Sequence, residues 1–146
     1  MFVFKLQAVL DTKKIIEEQK LAEFSEKKNQ LNEEIKVLND IQKERILLVD
    51  QLRDSQHLIR HLRDIELQIT YIDVCTEKEK KQKKVIEGVT KEVEERRIAL
   101  MEAMKERKVM ENLKDRDMEE FKASEVMQER ITTDETAILR FRRTEG

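Results

Sequence analysis

From Leu6 to Ile72 the apolar side chains recur mostly at steps of three and four residues: Leu6, Leu10, Ile16, Leu21, Phe24, Leu31, Ile35, Leu38, Ile41, Leu48, Leu52, Ile59, Leu62, Ile65, Ile69 and Ile72. The wider steps skip polar seam positions such as Lys28, Arg45 and Ser55. A second stripe runs Ile86, Val89, Val93, Leu100, Met104, Met110, Met118, Phe121. Steps of three and four put side chains on one face of a helix. Sustained over many heptads, they make a coiled-coil seam, here interrupted by Arg45, Arg96, Arg97 and Arg107. The pattern predicts an all-α protein built from long helices. A single helix of this length would extend ~220 Å at 1.5 Å per residue and could not bury its own stripe. The chain must therefore fold back on itself or pair with another chain.

Two segments compete for the turn. Asp54-Ser55-Gln56-His57 is the densest cluster of turn and N-cap residues in the front half. A turn centred near residue 58 pairs positions whose numbers total about 116. It sets Leu6 opposite Met110, Leu31 opposite Val85 and Ile41 opposite Cys75, apolar on apolar. The alternative lies at Thr70–Thr76, where Ile69, Thr70, Tyr71, Ile72 and Val74 are weak helix formers and Thr76-Glu77-Lys78-Glu79 fits a capping box. That turn would set Leu31 opposite Asp115 and Leu38 opposite Lys108, so the pairing favours the first. The expected fold is a long antiparallel two-helix coiled-coil hairpin, a single domain over residues 1–146. Arm one covers about 4–54, the turn about 55–60 and arm two about 61–142. The second arm overhangs by roughly thirty residues. Near its end, Thr132-Thr133-Asp134-Glu135 reads either as a local weakening or as the N-cap of a short C-terminal helix from Glu135 to Arg142.

Composition narrows the alternatives. There is no Pro or Trp, and Gly88 is the one glycine inside the chain. Charged residues make up 42% and aromatics 4%, against ~25% charged in an ordinary domain. Sandwiches, barrels and doubly wound folds need more turn residues than this. Disordered chains are usually Pro-rich. The 30 basic and 32 acidic side chains are evenly mixed, so no basic arm for nucleic acid stands out. Glu23–Lys27, Glu77–Lys81, Glu79–Lys83 and Glu92–Arg96 have the favourable i,i+4 order within a helix. Cys75 is alone, which excludes an internal disulfide. No apolar run exceeds four residues, too short to span a bilayer, and the start lacks the build of a signal peptide.

Candidate chemistry is sparse. His57 and His61 share a helical face but lack the intervening Glu of a zinc-protease motif, so they read as ordinary polar histidines and no metal site is expected. The basic run Lys78–Lys84 has no interleaved aromatics for base stacking. No phosphate-cradling loop and no nucleophile with a base is present, so neither a catalytic residue nor a cofactor is expected. If the second arm overhangs, Met118, Phe121 and Met127 have no partner within the chain. Together with Arg140 they would offer a surface to another protein.

Taken in order, several blocks resemble a known family. The chain opens with Phe2-Val-Phe4-Lys-Leu6-Gln7-Ala-Val-Leu10, an F-x-F-x-L-x-x-[VL]-L pattern. Its back half carries Glu106-Arg107-Lys108, Glu111-Asn-Leu113-Lys-Asp-Arg116, Glu120-Phe121-Lys122, Glu125, Glu129, Asp134-Glu135, Ala137 and Arg140-Phe141. This ordered set resembles the FliJ family of flagellar type III export stalk proteins. The resemblance implies a non-enzymatic antiparallel hairpin, similar to the central stalk of rotary ATPases, with its turn at Asp54–Arg60. It implies insertion in the ring of the export ATPase, promotion of ring assembly, contact with the cytoplasmic domain of the transmembrane export gate, and handling of export chaperones. It also implies a cytoplasmic protein held at the inner face of the membrane through that apparatus. Alignment on Leu38-Asn-Asp40-Ile41-Gln42 and Tyr71-Ile72 carries the gate-binding surface onto Leu38, Ile41, Arg45, Tyr71 and Cys75. Family members can carry aromatics where this chain has Ile41 and Arg45. The hairpin reading expects a chain that is monomeric on its own and does not bind nucleic acid. The rival is a generic dimeric coiled-coil scaffold that buries the same stripe between chains.

Overall fold

The computed structural model describes residues 1–55 and 62–145. It consists of two helices, α1 (Gln7–Ser55) and α2 (Leu62–Glu145). No described residue has a positive φ or follows a cis bond, as expected of a sequence whose elements lack helix breakers. The helices form two compact units. One joins Met1–Glu18 to Met101–Gly146, and the other is Gln19–Leu100.

The Thr70–Thr76 alternative is excluded, because α2 runs through it without a break. The hydroxyls of Thr70 and Thr76 donate to the carbonyls of Glu66 and Ile72 at 2.8 and 2.9 Å, so their side chains are satisfied inside the helix. The preferred turn segment, Asp54–Arg60, falls largely outside the described residues, as do His57 and His61. The separate last helix does not form either. Thr132 and Thr136 bond back to the carbonyls of Gln128 and Thr132, and α2 continues to Glu145.

In the 19–100 unit the helices run antiparallel. Lys27 Nζ lies 2.8 Å from Glu92, Arg96 lies 3.2 Å from Glu23, and Gln42 Nε2 donates to Glu79 at 3.2 Å. The 1–18/101–146 unit is also antiparallel, with Lys13 Nζ 3.0 Å from Glu106 and Arg107 paired with both Glu17 and Glu111. The residue numbers of Lys13–Glu106, Glu23–Arg96 and Lys27–Glu92 total 119, and those of Gln42–Glu79 total 121. The register is therefore close to 120, one helical turn away from the 116 that apolar matching suggests.

The shift has a physical cause in the charges. Of the four pairs expected within a helix, Glu79–Lys83 forms at 3.3 Å. Glu23, Lys27, Glu92 and Arg96 instead reach across to the opposite helix. A slip of one turn in either direction would bring Glu23 to Glu92 or Lys27 to Arg96, like charge on like charge. The seam itself is a strict heptad alternation of three and four. On α1 it occupies Lys20, Phe24, Lys27, Leu31, Glu34, Leu38, Ile41, Arg45, Leu48 and Leu52 of the 19–100 unit, every one buried or half-buried. On α2 it occupies Ile65, Gln68, Ile72, Cys75, Glu79, Gln82, Ile86, Val89 and Val93. Charged and amide side chains fill positions that apolar counting skips, and their stems cover the seam while their heads pair at its edge. Some expected stripe members consequently face water: Leu6, Leu21, Leu62, Ile69 and Met104 are all exposed.

The most enclosed packing lies in the 1–18/101–146 unit. Leu10 is 1% exposed, and Phe4 and Ala103 are also buried. The six residues before α1 turn into it through Gln7 N–H donating to the Phe4 carbonyl at 3.1 Å. Phe2 stacks obliquely on Phe121, with ring centroids 5.5 Å apart. Residues beyond Phe121, from Lys122 to Glu145, are all exposed.

Candidate partner-binding surfaces

Two surfaces carry the residues singled out in the sequence. In the 19–100 unit, Leu38, Ile41 and Arg45 are half-buried on the α1 seam, Cys75 is 3% exposed on the α2 seam, and Tyr71 is 53% exposed. The register moves Cys75 from opposite Ile41 to the level of Arg45. Cys75 thus supports this region from inside the helix pair, whereas Tyr71 stands on its surface beside exposed Val74 and Leu67. Exposed Ile46 and Leu47 on α1 add to the apolar surface of this unit, and apolar periodicity did not single them out because they lie off the seam.

Beneath this surface lies a polar layer. Glu79 is buried, an unusual place for a carboxylate. Gln42 donates to it, Lys83 approaches to 3.3 Å, and Arg45 Nε lies 2.9 Å away. The Arg45 contact is one of charge, since its buried Nε has no aligned hydrogen-bond acceptor. The hydrogen bond from Gln42 is the largest influence holding the Glu79 carboxyl below its ordinary pKa. Lys83 and Arg45 reinforce it against the opposing effect of burial. One turn further along, Gln82 Nε2 donates to the Glu34 carboxylate at 2.6 Å and to the Glu34 carbonyl at 2.9 Å. Glu92 is likewise held low, first by its hydrogen bond from Lys27, and Glu94 by Arg97.

These shifts set a pH dependence. A carboxylate whose pKa is lower folded than unfolded contributes stability above its unfolded value and loses it as pH falls through the folded value. The helix pair should therefore melt at an unchanged temperature from pH 8 to about pH 5 and at progressively lower temperature below ~pH 4.5. Glu79→Gln should flatten part of that acid slope in circular-dichroism melts. An identical slope in the variant would remove Glu79 from the account.

The second surface is the end of α2. Met118 is 37% exposed and Met127 67% exposed, and Arg140 also faces solvent. Phe121 differs from the expectation of no partner within the chain, because Phe2 covers one side of its ring. Ile131, Ile138, Leu139 and Phe141 add exposed apolar area that the seam phase did not pick out. The concavities here are shallow grooves along one helix, such as that lined by Thr133, Ala137, Arg140 and Phe141. Among the described residues no group of three or more His, Cys, Asp or Glu side chains is arranged to hold a metal, and no helix is long and apolar enough to cross a membrane.

Antiparallel helices joined along a charged heptad seam, with apolar side chains left on helix faces, define a coiled-coil protein. The chain belongs to the FliJ family: the sequence model described as Flagellar FliJ protein matches residues 1–146, its whole length. It is accordingly a component of the flagellar protein export apparatus. No curated protein and no solved structure matches it.

Proposed function

We propose that the chain is the non-enzymatic stalk of the export apparatus, working as a single hairpin. The end of α2 inserts in the ring of the export ATPase and promotes assembly of that ring. The region around Leu38, Ile41, Arg45, Tyr71 and Cys75 engages the cytoplasmic domain of the transmembrane export gate, and the same protein receives export chaperones. It acts in the cytoplasm, held at the inner face of the membrane by these partners. The observation that carries this reading is the exposed run Lys122–Glu145, with Met127, Ile131, Ile138 and Phe141 on a helix that α1 leaves uncovered. An exposed apolar stripe of this kind is a site for another protein. The mechanism is stoichiometric: an asymmetric helical surface contacts ring subunits unequally and biases their nucleotide states, while a separate surface addresses the gate.

Mixing the purified chain with its cognate ATPase should raise both hexamer content and turnover. Ile41→Ala with Tyr71→Ala should weaken capture of the gate's cytoplasmic domain severalfold and leave ATPase stimulation intact. No rise in hexamers or turnover would defeat the stalk reading. Loss of both activities in the double variant would defeat the separation of the two surfaces.

A further inference from the structure

We propose that Ile69–Thr76 is a switch segment of α2: it opens locally from the helix pair while the rest of the 19–100 unit stays folded, and its opening exposes Ile72 and Cys75. The property belongs to the chain alone, so it stands or falls apart from the stalk reading.

The first observation is a conflict between local sequence and observed structure. Ile69, Thr70, Tyr71, Ile72, Asp73, Val74, Cys75 and Thr76 include none of the strong helix formers Ala, Leu, Met, Gln, Glu, Lys or Arg. The next longest run of this kind in either helix is Ile131–Asp134. The β-branched side chains of such a run lose rotamer freedom against the preceding turn. Thr70 and Thr76 bond back to the carbonyls of Glu66 and Ile72, an arrangement that slightly destabilises a helix. Yet α2 runs through the whole segment.

A helix of poor propensity is held by its tertiary packing. Here that support is thin, which is the second observation. Leu67, Ile69, Tyr71 and Val74 are 53%, 46%, 53% and 46% exposed. Of the segment's apolar side chains, half-buried Ile72 and buried Cys75 are the ones turned to α1. Cys75 lies level with Arg45, whose buried Nε has no aligned acceptor. A buried donor without a hydrogen bond bears its desolvation cost, and opening the segment returns it to water.

The polar layer beyond Thr76 bounds the segment. Gln42 and Lys83 both reach the Glu79 carboxylate, at 3.2 and 3.3 Å, so the pair stays joined there when Cys75 leaves. Further along, Leu31 and Val89 are level with each other and Val89 is buried. Low helix propensity, sparse apolar packing and an orphaned donor in one stretch mark a unit that opens below the global unfolding free energy. Tyr71 and Cys75 then have two arrangements, one with the thiol enclosed and one with it exposed. A partner that binds one arrangement better shifts the balance between them.

Cys75 is the one thiol of the chain, so its labelling by an aromatic disulfide reagent reads the opening directly. In the full chain without denaturant, labelling should run at least about tenfold faster than global unfolding allows, as fixed by a urea melt and by the labelling rate of the unfolded chain. At low urea its rate should rise far less steeply than the population of unfolded chain, because little surface is exposed. Thr70→Ala should slow it roughly threefold, and Thr70→Ala with Val74→Ala roughly five- to tenfold. Thr90→Ala, which removes the same kind of back-bonded hydroxyl outside the segment, should leave it unchanged. Labelling no faster than global unfolding permits, a urea dependence as steep as that of the melt, or equal slowing by Thr90→Ala and Thr70→Ala would each overturn the proposal.

Discussion

Leu10→Ala should lower the unfolding free energy by about 2–4 kcal/mol, whereas Leu21→Ala should change it by less than ~0.5 kcal/mol. Both residues lie on the same apolar stripe of the sequence. In the structure Leu10 is 1% exposed and Leu21 51%. Removing the Leu10 side chain leaves a cavity in the most enclosed part of the 1–18/101–146 unit, where Phe4 and Ala103 are also buried. At Leu21 water already occupies the space, and Ala is the better helix former. For a chain of this size the Leu10 variant should melt roughly 6–12 °C lower. Phe4→Ala should behave like Leu10→Ala, since its ring is 5% exposed although it precedes the helix. Thermal melts by circular dichroism decide it. Equal effects at positions 10 and 21 would mean that the stripe, not the observed register, describes the core.

Exchanging the charges of one arm should move the helices past each other. In Glu23→Lys with Lys27→Glu, the two crossed pairs to Arg96 and Glu92 become repulsive. Each such partly exposed pair contributes little on its own, so reversing both destabilises the fold only modestly. That is small beside a core cavity, but a slip of one turn restores an attraction: position 23 meets Glu92 in one direction and position 27 meets Arg96 in the other. The polar seam opposes such a slip weakly, because few of its layers are shape-matched apolar pairs. With Cys75→Ala as background, cysteines at 31 and 89 should crosslink in the native arms, since their numbers total 120. The exchanged variant should shift that yield to 31 with 85 or 31 with 93. Adding Glu92→Lys and Arg96→Glu should bring it back to 31 with 89. If the exchanged variant kept its full 31–89 yield, the charges would not be what sets the register.

This sensitivity explains which features could be read in the sequence. Apolar matching alone gives a register of 116, because it weighs Leu, Ile, Val and Phe and passes over Lys13, Lys20, Lys27, Glu34, Gln68 and Gln82. Those are the residues that complete the heptad, and several pair across it. Glu79 was readable only as a partner for Lys83 in its own helix. Nothing local signals that it is buried beside Gln42 and Arg45 of the other arm. The Phe2–Phe121 contact was also out of reach, since pairing two stretches so far apart requires the fold-back itself. The assignment of Leu38, Ile41, Arg45, Tyr71 and Cys75 to one surface came from family resemblance alone. Its division into surface Tyr71 and buried Cys75 came from the register.

The sequence by itself determined that the chain is helical, long-armed and without turns in its arms, because no Pro and a single internal Gly leave nothing to stop a helix once it has started. It also determined family membership, which rests on the order of its blocks. Only the tertiary structure decided which turn of one helix meets which turn of the other, and hence which side chains are enclosed and which remain exposed beyond Phe121. The reason is that a period of three and four residues repeats along the whole helix and matches itself again after each turn. Cross-helix charge pairs break that degeneracy, and they exist only once both arms are in place.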